Sequence, residues 1–347
     1  LWLQSMTPAA IRDGFAHLRS DEDMQPLADA ARSRSEADWL VGINGTRAMT
    51  AFNSKGGGFY LTTVGRVQTP TLMIVVDREQ KIRKFVPRDY WEIRATFGAK
   101  AGDYEGRWFD PAFRKDENDA ERRESRLWEQ AKADKIAEAC RGKVGTVTEE
   151  SKPSSQLAPG LFDLTSLQRE ANGRFGFSAK TTLSIAQELY ERHKALTYPR
   201  TDSRHLPEDY IDTVKATVDA LAEDTGLRPH AKEIIKNKWI KPNKRIFDNT
   251  KISDHFAIIP TPQPPKALND VQQKIYDLVV RRFMAVFFPA AEYLVTTRIT
   301  EVATHKFKTE GKILVKPGWL AVYGKDEQQE SANLPPVAKG EDRKSVV

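Results

Sequence analysis

Tyr198-Pro199-Arg200 sets a phenol and a guanidinium two residues apart across a proline. Proline fixes its own φ and biases the residue before it toward extended backbone, so the phenol is held in one direction. Residues i and i+2 of an extended segment share a side, which places Arg200 beside Tyr198. A phenol with a pKa of about 10 is a weak nucleophile at neutral pH. A neighbouring guanidinium favours its anion and also grips a phosphate through two parallel hydrogen bonds. The chemistry on offer is attack on a phosphate ester, although Y-P-R in a loop is by itself more often structural.

Two further segments carry polar groups suited to the same target. Gly65-Arg66-Val67-Gln68-Thr69-Pro70 sits at an expected helix start, where Arg66 and Gln68 reach phosphate and base edges and the helix terminus favours anions. In Ser253-Asp254-His255-Phe256-Ala257-Ile258-Ile259-Pro260-Thr261, His255 is either a packed or capping residue or a donor to a phosphate oxygen. From Arg228 to Lys251 the chain also concentrates Arg228, Lys232, Lys236, Lys238, Lys241, Lys244, Arg245 and Lys251, with Trp239 and Phe247 interleaved. That run is a solvated face or a phosphate-tracking surface.

Several chemistries are absent. There is no G-x-x-x-x-G-K-[ST] phosphate loop, no C-x-x-C or H-x-x-H ligand spacing and no G-x-S-x-G, so neither ATP nor a zinc ion is expected. The net charge of +6 permits a polyanionic partner without demanding one. A lone cysteine, Cys140, excludes an internal disulfide and suits a reducing cytoplasm. No apolar run approaches the roughly 20 residues of a membrane span, and no signal-peptide pattern opens the chain. A first residue of leucine, inside an established pattern, suggests a piece of something longer.

The elements expected to position these groups change in kind along the chain. Thr7 to Ile82 reads helical: one helix opens at Thr7-Pro8, a second runs from Glu22 to Ala51, Gly56-Gly57-Gly58 interrupts, and a third runs from Val67 to Lys81 with Leu72, Val75 and Val76 on its buried side. Strands follow at Tyr90–Phe97 and Tyr104–Phe109, then a charged loop from Lys115 to Arg126, a helix from Leu127 to Arg141 and a strand at Val144–Thr148. Helices return from Leu164, with Thr165 and Gln168 at capping-box spacing and Ser178 as a second cap. A helix opens at Pro207, another spans Asp270–Phe288, and strands close the chain at Leu294–Val302 and Lys306–Val315.

Taken in order, G-R-V-Q-T-P, then L-T-Y-P-R-T-D-S, then S-D-H-x-A-I-I-P-T resembles the signature of the bacterial type IA DNA topoisomerases. The wording is closer to the topoisomerase III branch than to topoisomerase I. Ala37-Asp38-Trp39-Leu40-Val41-Gly42-Ile43-Asn44 and the first seven residues resemble the stretch that follows the metal-binding domain of that family. A tyrosine recombinase would carry H-x-x-R ahead of a late tyrosine, a motif not found here. A silent single-strand-binding module would explain Arg66 and Gln68 but leave Tyr198 without a task.

The resemblance implies a multidomain α+β toroid core. Residues 1–85 would be the first part of a helical gate-supporting domain, 86–156 with 291–347 a β-rich arch, and 157–290 a movable domain carrying the nucleophile. It implies that Tyr198 attacks single-stranded DNA and is linked to the 5′ phosphate. Arg200 would position the scissile phosphate and His255 would hydrogen-bond it. Thr201 and Asp202 of the same motif are expected to bind the DNA, as are Arg34, Asp38, Thr63, Arg66 and Gln68, which match positions of the single-strand groove, with threonine at 63 where serine is common. The family's Mg²⁺ would be held by an acidic cluster that nothing here matches, so this chain alone is expected to bind DNA without full activity. The implied protein is an ATP-independent, monomeric, cytoplasmic and nucleoid-associated enzyme.

Overall fold

The computed structural model describes residues 1, 3, 8–117, 119, 121–223, 226–324, 334–335 and 343–346. The chain divides into two compact units, one of residues 1–2 and 14–89 and one of residues 3–13 and 90–347. The short helix α1 (Pro8–Ala16) runs across that division.

The first unit is built on α2 (Asp21–Asn53) and α3 (Gln68–Arg83). Ser20 caps α2 reciprocally with Asp23, satisfying two amides that a helix start otherwise leaves open. Thr46, Thr50 and Asn53 recur at helical spacing, and the returning chain docks on this polar row. Thr46 Oγ1 accepts from Val64 N at 3.0 Å, Thr50 Oγ1 accepts from Thr62 N at 3.0 Å, and Asn53 Nδ2 donates to Thr62 Oγ1 at 2.8 Å. Gly45 permits the close approach, since a Cβ there would stand 2.9 Å from a Val64 methyl. The burial expected for α3 is corrected: no residue of α3 is buried, Leu72 and Val75 stay more than 60% exposed, and Val76 is half-buried. Two helices and one strap enclose only a narrow seam, so most apolar side chains of this unit find no cover within it.

The second unit holds a closed, all-antiparallel barrel of six strands: β1 (Arg94–Gly98), β2 (Tyr104–Phe109), β3 (Val144–Gln156), β4 (Ala291–Val302), β5 (His305–Lys316) and β6 (Arg343–Val346), in the order β1-β2-β5-β4-β3-β6. Its interior follows the two-residue period of a strand. Tyr104, Gly106 and Trp108 of β2 point inward with Phe97 and Phe307, and Ala133, Ile136 and Cys140 of α4 (Gln130–Cys140) close the cluster. A fully buried Arg298 is held by Glu149 at 2.9 Å and lies over the Tyr104 ring at 4.4 Å. Several sequence boundaries move, among them the start of the first strand, at Arg94 rather than Tyr90. α4 starts at Gln130 because Leu127 is taken up by a bridge to Trp91. β3 runs on to Gln156 because β4 offers a partner at every step from Glu301 to Ala291.

The chain leaves the barrel at Gln156 and re-enters it at Ala291. Between them lie α5 (Leu164–Phe175), α6 (Ala179–Glu191), α7 (Ile211–Leu221), α8 (Arg228–Asn237) and α9 (Asp270–Ala285), packed around one core with Phe162, Leu167, Leu189, Leu196, Ile258 and Phe283 at its centre. The capping box of α5 lies two residues earlier than the spacing suggested: Asp163 accepts from Ser166 N and Ser166 Oγ accepts from Asp163 N. Gln168 instead donates to Ala179 O. Ser178 caps α6 as expected, at 3.0 Å from Thr181 N.

Burial lowers the pKa of His205 and of His230 below the usual imidazole value, Asp248 and Glu233 opposing it respectively. The folded protein therefore holds both rings neutral where the unfolded chain, titrating near pH 6.5, already binds protons. Stability should be fully present above about pH 6.5 and fall as the pH drops from there toward the lowered folded values. Urea midpoints measured from pH 8 to 5 should show that decline, and His230→Gln should flatten it. A midpoint independent of pH in that window counts against the assignment.

Candidate active site

The motif around Tyr198 is a loop woven into two neighbours. Thr197 N donates to Ile259 O, Thr197 Oγ1 donates to Ala257 O at 3.0 Å and accepts from Ile259 N at 2.9 Å, and Leu196 bridges Pro260. On the other side Thr201 Oγ1 donates to His255 O at 2.9 Å, Leu164 N donates to Thr201 O, and Ile258 N donates to Phe162 O. Residues 196–201 and 255–261, far apart in sequence, are thereby locked side by side. Leu196, Pro199 and Thr201 are buried and anchor the loop, while Tyr198 is half-buried and Arg200 is exposed.

The rings follow from that backbone. Tyr198 lies 4.4 Å from the exposed His255 ring, centroid to centroid, and 5.4 Å edge-on from Tyr190 of α6. Arg200 Nη2 donates to Gln187 Oε1 at 3.3 Å. Gln187 and Tyr190 are three residues apart on α6 and share a face, so Tyr198 and Arg200 do point to one side. Tyr198 and His255 open on a cleft with Tyr190, Lys194, Tyr210, Phe256 and Gln263 among its walls. Asp202 accepts from Ser253 Oγ at 3.3 Å and so ties the two motifs together again. At the base, Asp163 takes a 2.8 Å ion pair from Arg204; burial pushes its carboxyl up, but bonds from Ser166 and Arg204 more than offset this and leave it below the usual range.

The residues expected to line the groove all fall in the first unit, where four of them meet in two pairs. Arg66 and Asp38 form an ion pair at 3.0 Å, and Thr63 Oγ1 donates to Gln68 Oε1 at 3.3 Å. Arg34 lies exposed one turn before Asp38 on α2. The strap docked on Thr46 and Thr50 carries Thr63 and leads directly into the Arg66 turn, which is how a short polar row on a helix positions this cluster.

Tyr190, Gln187 and Thr197 are not among the site residues expected from the sequence, yet all three contact the motif or hold it in place. Their signal was present only as spacing, since Gln187 and Tyr190 precede the tyrosine motif by about two helical turns. Thr197 has the clearest consequence. Thr197→Val removes both side-chain bonds and strands the buried amide of Ile259, which should cost about 1–3 kcal/mol. A urea titration reads the loss, and an unchanged midpoint would show that the hydroxyl does not hold the two segments together.

The family model described as DNA topoisomerase matches residues 22–346, and this chain belongs to that family. It is 39% identical to DNA topoisomerase 3 of Bacillus licheniformis and 40% identical to that of Bacillus subtilis, in each case over 98% of this chain and 45% of the relative. The solved structure of full-length topoisomerase I from Thermotoga maritima superposes with a TM-score of 0.63 over 99% of this chain and 53% of that one; at 22% identity the likeness is one of fold. The chain thus spans about half the length of the curated relatives it matches. The resemblance read from the motifs, including its leaning toward topoisomerase 3, and the α+β class agree with these matches.

The described residues do not fit the Mg²⁺ that the family resemblance implies. Among the described residues no three His, Cys, Asp or Glu side chains converge to hold a metal ion. No helix among them is long and apolar enough to cross a membrane.

Proposed function

We propose that this chain is the DNA-gripping and strand-cutting core of an ATP-independent type IA DNA topoisomerase. The observation that carries this reading is the placement of Tyr198: a half-exposed phenol at a cleft, its ring against His255, with Arg200 fixed on the same side of α6. The phenol oxygen attacks a phosphodiester of single-stranded DNA, an O–P bond to Tyr198 forms, and the bond from phosphorus to the 3′ oxygen breaks. Arg200 draws the phosphate in and steadies its developing charge, and His255 donates to a phosphate oxygen. One phosphoester replaces another, so the reverse attack by the 3′ hydroxyl reseals the strand without nucleotide hydrolysis. Thr201 and Asp202 hold the loop.

In this reading Arg34, Asp38, Thr63, Arg66 and Gln68 line the path of the single strand. Residues 1–85 support the gate, 86–156 and 291–347 form the arch, and 157–290 move with Tyr198 to admit a second strand. The enzyme relaxes negative supercoils and separates linked DNA as a monomer at the nucleoid in the cytoplasm. The test is covalent capture, made on the longest polypeptide that contains this chain. Single strands labelled at the 3′ end are incubated with it, the reaction is stopped with denaturant, and labelled DNA should travel with the protein. Label captured only from 5′-labelled strands would reverse the polarity and overturn the mechanism.

A further inference from the structure

The basic run from Arg228 to Lys251 separates, once folded, into engaged and free cations. Arg228 closes the end of α7, donating from Nε to Ala222 O and from Nη2 to Glu223 O, each at 3.0 Å. Lys244 is paired with Glu208, and Arg245 donates to Ala158 O. These three hold the fold, and Lys251 stands apart, exposed at the far end of the run. Lys232, Lys236, Lys238 and Lys241 are different. All four are exposed, and none is within ion-pair distance of a described carboxylate. Lys232 and Lys236 stand one turn apart on α8, opposite the buried Ala231 and Ile234, and Lys238 and Lys241 continue beyond its end. A cation in the last turn favours the helix dipole, which accounts for Lys236 but not for the two lysines outside the helix. Glu233 is the only acidic residue between Lys232 and Lys241.

The interleaved aromatic residues are the second observation. Trp239 is packed on Phe288 at 4.8 Å, and Phe247 is 2% exposed. Phe247 offers no face to a nucleobase and the half-buried Trp239 is partly committed to Phe288, so the described residues of this surface present no row of exposed rings on which successive bases could stack. What remains is a row of flexible point charges, which read backbone phosphates and no sequence. We infer that Lys232, Lys236, Lys238 and Lys241 form a docking ridge for the phosphate backbone of duplex DNA, separate from the strand that meets Tyr198. This rests on the reading of the chain as a DNA topoisomerase and adds a second, duplex-binding surface to it.

The test is a salt titration of the whole chain against blunt duplex and against single strand, with a variant carrying Lys232→Gln, Lys236→Gln, Lys238→Asn and Lys241→Gln. Each lost phosphate contact lowers the slope of log K against log salt by about 0.9 on duplex, so a fall of about 3.6 units is expected there if all four lysines engage a phosphate. The single-strand slope and the yield of Tyr198-linked DNA should stay as in the parent. Four Lys→Arg changes at the same positions should restore the duplex slope, which separates charge from misfolding. An unchanged duplex slope marks the ridge as a solvated face and overturns the proposal. An equal fall on single strand overturns it too, since the ridge then follows the same strand as the groove. If the duplex slope falls but no covalent DNA forms on the parent, the ridge stands and the strand-cutting reading is what fails.

Discussion

Tyr198→Phe is expected to abolish covalent capture of DNA while leaving single-strand affinity within about twofold of the parent. The change removes one oxygen and keeps the ring, so the contacts with His255 at 4.4 Å and Tyr190 at 5.4 Å remain. Packing should alter by well under the roughly 1.5 kcal/mol of a volume-conserving swap. No other atom takes over a covalent nucleophile's role, so the adduct should vanish rather than slow. Arg200→Ala should behave differently. Its guanidinium leans on Gln187 rather than on the phenol, so its loss weakens phosphate positioning and slows cleavage by about 100-fold or more without eliminating the product. Denaturing gels of 3′-labelled strands distinguish the two outcomes. Labelled DNA on the Tyr198→Phe protein would mean that another residue is the nucleophile.

The second large effect lies away from the cleft, at Gly318. Its φ of +50° is left-handed, and a Cβ there would run into the carbonyl oxygens of Pro289 and Ala290 as β4 begins. Backbone on both sides cannot yield as a side-chain tip would. Trp319, which follows, donates from its amide to Pro289 O at 3.0 Å and from its indole to Gln156 O at 2.9 Å. It thereby fastens the points where the chain leaves and re-enters the barrel. Gly318→Ala should cost at least about 3 kcal/mol, from left-handed strain and collision together. The urea midpoint should drop accordingly, and a loss below about 1 kcal/mol would show that the turn relaxes freely.

Much of the local structure was legible because its causes are local. Ser178 begins α6, Pro8 opens α1, and β2 alternates inward and outward along Tyr104–Phe109, since each depends on residues within one turn or one strand. Boundaries failed where a distant partner decided them. β3 continues past Thr148 through Lys152 and Pro153, poor strand formers alone, because β4 supplies a neighbour for each residue. The capping box of α5 lies at Asp163 rather than Thr165 because Asp163 also gains Arg204, which arrives from the tyrosine loop.

The sequence by itself determined which groups are available: a phenol next to a proline and an arginine, a histidine ahead of an apolar run, and a Gly-Arg-Val-Gln turn at a helix start. Order and spacing sufficed to recognise the family, since a motif is a statement about residue types along a line. Tertiary structure alone decided which of these meet. Tyr198 faces His255 because Thr197 and Thr201 each bond to the 255–259 segment, a pairing no spacing rule reaches. It also sorted the basic run, engaging Arg228, Lys244 and Arg245 in the fold and leaving Lys232, Lys236, Lys238, Lys241 and Lys251 exposed. Charge is a property of a residue, but its availability depends on what the fold brings within about 4 Å of it.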